Sequence, residues 1–339
     1  MNRLNTERNY FFDNLKALLI FFVVLGHLIE PYTGKFLYIY RIIYLFHIPI
    51  FTFCSGYFST KQDASKIITN IIYPYFVFQL LYCLFNIYII KIEGFKIDFT
   101  TPYWIMWYLT SMLLWNGLIL LFRQTKKRKI FLSIIIAFAI GLLAGYSDTV
   151  GYYISLSRSL VFFPFFLLGY YFNQFGFTKK TITNNKYFVL FIVISSICTI
   201  TYLYFNYNKL ISTWLYSSAS YNILNYNIMH RIKIYLCAIM LGLFLMILTP
   251  TSKNIFSFIG KNSMYVYLLH GFVVKLISKY HILANIQNNY VLLADIIVIS
   301  FAILLVFASK PVAILLKPFV KLCIPKKIMN FLNKDVSNS

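Results

Sequence analysis

Four ionisable residues lie in or beside the first long apolar run of the chain: Asp13, Lys16, His27 and Glu30. Lys16 and His27 are eleven residues apart. On a helix that is about 1100° of rotation, some 20° from whole turns, and about 16 Å of rise. Glu30 follows His27 by three residues and Asp13 precedes Lys16 by three, the neighbour spacing of a helix surface. One face therefore carries all four, while the rest of the helix is Leu, Ile, Phe and Val. A histidine beside a carboxylate is the arrangement of a general base, the carboxylate fixing the tautomer and stabilising the imidazolium. Ionisable groups in an apolar segment are costly and usually face a cavity or a partner. Two plainer readings stay open: Lys16 as a snorkelling flank, and His27 with Glu30 as markers of a membrane interface.

Further polar groups interrupt later apolar runs. The second run reads Phe46-His47-Ile48-Pro49-Ile50-Phe51 and closes Ser55-Gly56-Tyr57-Phe58. Pro49 frees a backbone carbonyl and Gly56 permits close helix approach. His47 fits either a hydrogen bond inside a kinked span or contact with a substrate. Trp104, Trp107 and Tyr108 follow Pro102, as an aromatic belt or as part of a site. Arg158 precedes Phe162-Phe163-Pro164-Phe165-Phe166-Leu167-Leu168-Gly169 and suits a lipid phosphate or a substrate. In Ile259-Gly260-Lys261-Asn262-Ser263, Asn262 or Ser263 can cap the helix that carries His270. The free amides of that helix start, with Lys261, suit a phosphate. Lys275 and Asp295 stay without assignment.

The elements that must hold these groups are membrane spans. Hydrophobic residues are 60% of the 339 and charged residues 12%, against about 25% charged in soluble domains. Mean hydropathy is +0.72. With about 20 apolar residues per crossing, the expected spans are 14–32, 42–58, 67–90, 103–122, 130–147, 157–173, 187–206, 232–249, 262–279 and 290–309. The fold class expected is all-α, a polytopic membrane protein of about ten helices with both termini cytoplasmic. The first run has a basic flank but no small-x-small site follows it, only Glu30-Pro31-Tyr32. It is expected to be retained as a span.

Charge fixes the orientation. The formal net charge is +22, yet the basic residues sit between apolar runs, which argues against a nucleic-acid partner and for the lipid bilayer. With the N-terminus inside, most of the 31 basic residues fall in cytoplasmic segments, as the positive-inside rule requires. Arg3, Arg8, Lys61 and Lys66, the cluster Arg123 to Lys129, and Lys326, Lys327 and Lys334 are among them. Residues 310–330 read as an interfacial helix. The longest outer loop, 207–231, carries Tyr207, Trp214, Tyr216, Tyr221, Tyr226, His230 and Arg231. Five scattered cysteines (Cys54, Cys83, Cys198, Cys237, Cys323) show neither disulfide nor metal spacing, and no metal is expected.

Taken in order, these motifs resemble the membrane-bound acyltransferase-3 family, in its branch similar to fucose 4-O-acetylases. They are Lys-x10-His at Lys16 and His27, Phe-His-x-Pro-x-Phe with Ser-Gly-Tyr-Phe, and Trp107-Tyr108-Leu109. The Phe-Phe-Pro-Phe-Phe-Leu-Leu-Gly stretch and Ile-Gly-Lys-Asn-Ser with Tyr267-Leu268-Leu269-His270 complete the set. The similarity spans residues 8–310, leaving 311–339 as an amphipathic cytoplasmic tail. The resemblance implies transfer of an acyl group, usually acetyl from cytoplasmic acetyl-CoA as co-substrate, to a hydroxyl of a surface carbohydrate such as capsule, exopolysaccharide or cell-wall sugar. It implies that Lys16 and His27 are the essential pair. Lys16 stands where many relatives have Arg, which keeps the charge but not the bidentate fork.

The expected catalytic set is His27, Glu30 and Lys16. The expected substrate-binding set is His47, Ser55, Trp107, Arg158, Asn262, Ser263 and His270. The expected setting is a bacterial plasma membrane. Two other classes remain: a transporter or flippase for a glycan or lipid-linked sugar, and a scaffold subunit of a polysaccharide-export complex.

Overall fold

The computed structural model describes residues 9–60, 63–151, 153–206 and 210–322. Arg3, Arg8, Lys61, Tyr207, Cys323, Lys326, Lys327 and Lys334 lie outside them. Among the described residues all regular structure is helical, with no strand. That is the expected outcome for long apolar runs in lipid, where each backbone N–H and C=O needs a partner inside its own segment.

The long helices are α1 (Tyr10–Ile29), α2 (Thr33–Ser59), α3 (Ala64–Ile90), α4 (Trp107–Phe122) and α5 (Lys127–Leu143). They continue with α6 (Leu156–Gln174), α7 (Lys186–Asn206), α8 (Ile228–Leu248), α9 (Ser263–Lys279) and α10 (Asn289–Ala308). Eight continuous helical stretches are long and apolar enough to cross a membrane. The first of them, Tyr10–Ser59, is 50 residues long and contains two crossings. His27 and Tyr44 meet at 3.2 Å, although a straight helix would hold them about 26 Å apart. At the other end Phe12 stacks on Tyr57 with centroids 3.7 Å apart. The chain reverses through the 3-10 turn Glu30–Tyr32 and a non-helical Phe36 at φ −126°. With the 17-residue α9 the crossings number ten among the described residues.

Contacts between connections confirm that the helices alternate in direction. At one end the Tyr73 hydroxyl donates to the Pro318 carbonyl, Tyr171 to Phe122 and Lys179 to Thr249. At the opposite end Tyr38 donates to the Ile200 carbonyl, Lys35 to Ile286 and Ser157 to Ser217. The first end carries Lys16, Lys66 and the cluster Arg123 to Lys129 and is the basic end. An amphipathic helix, α11 (Lys310–Val320), lies there.

α1, α2 and α6 form the centre. Gly56 on α2 faces the Phe166 carbonyl, and Gly169 on α6 faces the Phe53 carbonyl. Two reciprocal glycines thus let the backbones touch, as small residues do where lipid offers no drive for helix association. α1 is anchored at the basic end by Asn14. Its amide donates to the Pro250 and Ser252 carbonyls at 2.9 Å each, and its carbonyl accepts from Ser257 at 2.6 Å. Outward faces of α4, α5 and α7 expose Leu120, Leu121, Phe131 and Phe205, the surface that lipid covers.

Candidate active site

His27 lies in the last turn of α1, inside the protein. Its Nδ1 is 3.3 Å from Glu30 Oε2 and 3.2 Å from the Tyr44 hydroxyl. With Nδ1 held by these two, Nε2 is the nitrogen left to accept a proton. Trp104 meets the imidazole edge-on at 4.6 Å and His270 stacks on it at 5.5 Å. Trp104 has a left-handed backbone at φ 37°, an uncommon state for a bulky residue and one that concentrates at functional sites.

Two cavities meet at this histidine. The first, about 730 Å³ with its mouth included, runs toward the basic end past Val23, Phe51 and Met112 to Ser55 and Ser263. It is almost wholly apolar, and Ser55 pairs there with the Tyr108 hydroxyl at 2.7 Å. The second, about 560 Å³, runs toward the opposite end and is lined by Glu30, Tyr44, His47, Trp104, Arg158 and Tyr216. His27, Ile48, Ile105 and Trp107 line both. His27 thus lies where two cavities adjoin, the first almost wholly apolar and the second richer in polar groups.

The structure brings most of the expected residues together. Glu30, His47, Trp107 and Arg158 share the polar chamber with His27, and Ser55 and Ser263 stand in the apolar one. His47 makes the hydrogen bond of its first reading, Nδ1 donating to the Ile43 carbonyl at 2.7 Å, and its ring also lines the chamber. His270 is buried behind His27, its Nδ1 donating to the Val266 and Tyr267 carbonyls. Its Nε2 has no partner among the described residues.

Besides the buried His270, two expected residues line neither chamber. Lys16 is paired with Asp13 at 3.2 Å and lies 4.8 Å over the Phe58 ring at the basic end. Asn262 occupies the cap position of α9 without a side-chain cap bond, and its amide donates to the Ala308 carbonyl at 2.7 Å.

Sequence reasoning missed Tyr44, and left Trp104, Lys275 and Tyr216 without a definite place. Tyr44 precedes His47 by three residues, which puts both on one face of α2; that spacing was the available signal. Lys275 lies 4.6 Å over the Trp104 ring. In the outer loop, Trp214, Tyr221 and Tyr226 pack against one another as a small core. Tyr216 reaches the chamber instead, its hydroxyl 2.5 Å from that of Tyr40.

A family model described as an acyltransferase domain matches residues 9–316. No curated protein and no solved structure matches the chain.

Proposed function

The chain belongs to the acyltransferase-3 family, and we propose that it moves an acetyl or similar acyl group from cytoplasmic acyl-CoA to a hydroxyl of a surface or exported carbohydrate. The observation that carries this reading is the position of His27 where an apolar chamber from the basic end meets a polar chamber from the other. The positive-inside rule puts the basic end in the cytoplasm, so the donor enters by the apolar chamber. The guest proposed for it is an extended pantetheine arm with a small acyl group, with Ser55, Tyr108 and Ser263 as the polar partners for its amides. The polar chamber takes the acceptor: Glu30 and Tyr216 offer hydrogen bonds, and Arg158 stacked on Trp107 forms part of its wall.

His27 acts as general base through Nε2, with Glu30 and Tyr44 holding Nδ1. The acceptor oxygen attacks the thioester carbonyl as its proton passes to Nε2. Collapse of the tetrahedral centre expels the thiolate, which takes that proton back and leaves as coenzyme A. Lys16, about 16 Å below, is too far to act on the same oxyanion and serves the donor phosphates at the cytoplasmic mouth.

The test is transfer of labelled acetyl from acetyl-CoA into surface polysaccharide by membranes containing the protein. The expected result is incorporation that falls about a thousandfold in His27→Ala with protein level and topology unchanged. Retained incorporation in that variant defeats the assignment. Passage of glycan across the membrane with no incorporation at all favours the transporter class.

A further inference from the structure

The four tryptophans divide into two kinds. Trp115 and Trp214 give their indole N–H to backbone carbonyls, of Ser159 at 2.7 Å and of Leu224 at 2.9 Å. Trp104 and Trp107 have no such acceptor among the described residues, and both line the polar chamber at His27. They differ in a second respect. Lys275 Nζ lies 4.6 Å from the centre of the Trp104 ring, and the Arg158 guanidinium carbon 5.0 Å from that of Trp107. Among the described residues no cation lies over Trp115 or Trp214.

The two features reinforce each other. A cation over the face of an indole is held by the ring's electron density, and by drawing on that density it makes the N–H a stronger donor. A polarised N–H without a protein acceptor, at the wall of a chamber, is free for a ligand. Indole is also a donor only, so it favours an oxygen that gains negative charge over one that must donate.

Resting on the acyltransferase reading above, we propose that the indole N–H groups of Trp104 and Trp107 form the oxyanion hole of the transfer. As the acceptor oxygen bonds to the acyl carbon, the carbonyl π pair moves onto its oxygen. That oxygen receives hydrogen bonds from the two indoles while the acceptor proton goes to His27 Nε2. When the carbonyl re-forms, the C–S bond breaks and the thiolate takes the proton from His27. Lys275 and Arg158 are positioning residues that act through the rings they cover. This assignment supplies the electrostatic stabilisation that Lys16 is too distant to give. Trp104 also stands in edge contact with His27, ring centroids 4.6 Å apart, beside the group that takes the proton.

The experiment measures initial rates of acetyl transfer in membranes that contain the full chain and the surface polysaccharide, with labelled acetyl-CoA varied. Trp104→Phe and Trp107→Phe keep an aromatic face and remove the donor. Each is expected to lower the maximal rate about a hundredfold, with half-saturating acetyl-CoA unchanged. Arg158→Met is expected to lower the maximal rate several-fold, and Arg158→Lys to restore part of the loss. The assignment is overturned if both tryptophan variants keep the wild-type maximal rate, or if only the half-saturating concentrations rise. Should either tryptophan variant fail to reach the membrane, the Arg158 pair decides, and equal rates for Met and Lys overturn it. Absence of any transfer by the unaltered chain defeats the acyltransferase reading itself. Transfer by the unaltered chain with unaffected variants defeats this assignment alone.

Discussion

The Nδ1 of His27 lies 3.3 Å from Glu30 Oε2, across the end of α1, with the imidazole side chain 14% exposed and the carboxylate 41% exposed. The pair thus straddles the boundary between the bundle interior and the outer end of the polar chamber. Glu30 can orient the ring without itself being sealed from water. The Tyr44 hydroxyl approaches the same nitrogen from α2, so orientation is shared.

Shared orientation sets the size of the first effect. Glu30→Gln should lower kcat by about tenfold to a hundredfold, less than loss of the base itself, with KM for acetyl-CoA little changed. Combined with His27→Ala it should add almost nothing, because both act on one proton transfer. Initial rates of the two single variants and the double variant decide this. Fully additive losses would mean that Glu30 contributes something other than orienting His27.

Lys16 invites a different measurement, because it touches neither chamber. Its Nζ pairs with Asp13 and lies over Phe58 at the basic end, where donor phosphates would arrive. Lys16→Arg should keep part of the activity and Lys16→Ala little, with the loss appearing as a raised KM for acetyl-CoA. A point charge that serves phosphates at a partly exposed site is screened by salt, so the wild-type KM should rise with ionic strength. Equal activities for Arg and Ala would make Lys16 a topological flank only.

The ten crossings are legible in the sequence because hydropathy is a one-dimensional property and lipid forbids alternatives to the helix. The face shared by Lys16, His27 and Glu30 is legible because helical spacing is local. What sits across from His27 is not. Tyr44 arrives there because the chain reverses at Glu30–Tyr32; the two spans and the Glu30-Pro31-Tyr32 break mark that reversal, but not which side chains it brings face to face. Trp104 and Lys275 come from elements far apart in the chain and meet through tertiary packing. Trp214, Tyr221 and Tyr226 are aromatic residues of an outer loop by sequence, yet the loop buries them in a small core of its own. Asn262 looks like a cap, but the Ala308 carbonyl of α10 takes its amide instead.

The crossing of α2 and α6 gives a stability test with an internal control. A Cβ on Gly56 would collide with the Phe166 carbonyl, and one on Gly169 with the Phe53 carbonyl. In both cases backbone, not a movable side chain, is in the way. Gly56→Ala and Gly169→Ala should each destabilise by about 1–3 kcal/mol, read as a lower Tm in detergent, and should misplace His47 and Ser55. Gly117 on α4 has open space around it, so Gly117→Ala should be neutral or slightly stabilising, by up to about 1 kcal/mol. Equal Tm values for all three variants would show that the close crossing does not form.

Arg231 ties the outer loop to the bundle and so reaches the acceptor side at one remove. Its side chain is almost fully buried at 1% exposure. Nη1 donates to the Gly141 carbonyl at 3.1 Å, Nη2 donates to the Tyr226 hydroxyl, and the guanidinium faces the Tyr221 ring at 4.6 Å. Tyr221 in turn donates to the Leu142 carbonyl at 2.7 Å. The planar fork spans α5 and the loop together, which an ammonium cannot do. Arg231→Lys should therefore loosen residues 210–231 and let Tyr216 leave the wall of the polar chamber. The expected result is a several-fold rise in KM for the acceptor, faster proteolysis within the loop, and an unchanged KM for acetyl-CoA, because the apolar chamber shares no residue with that loop. A matched rise in both KM values would instead place Arg231 in the general stability of the bundle.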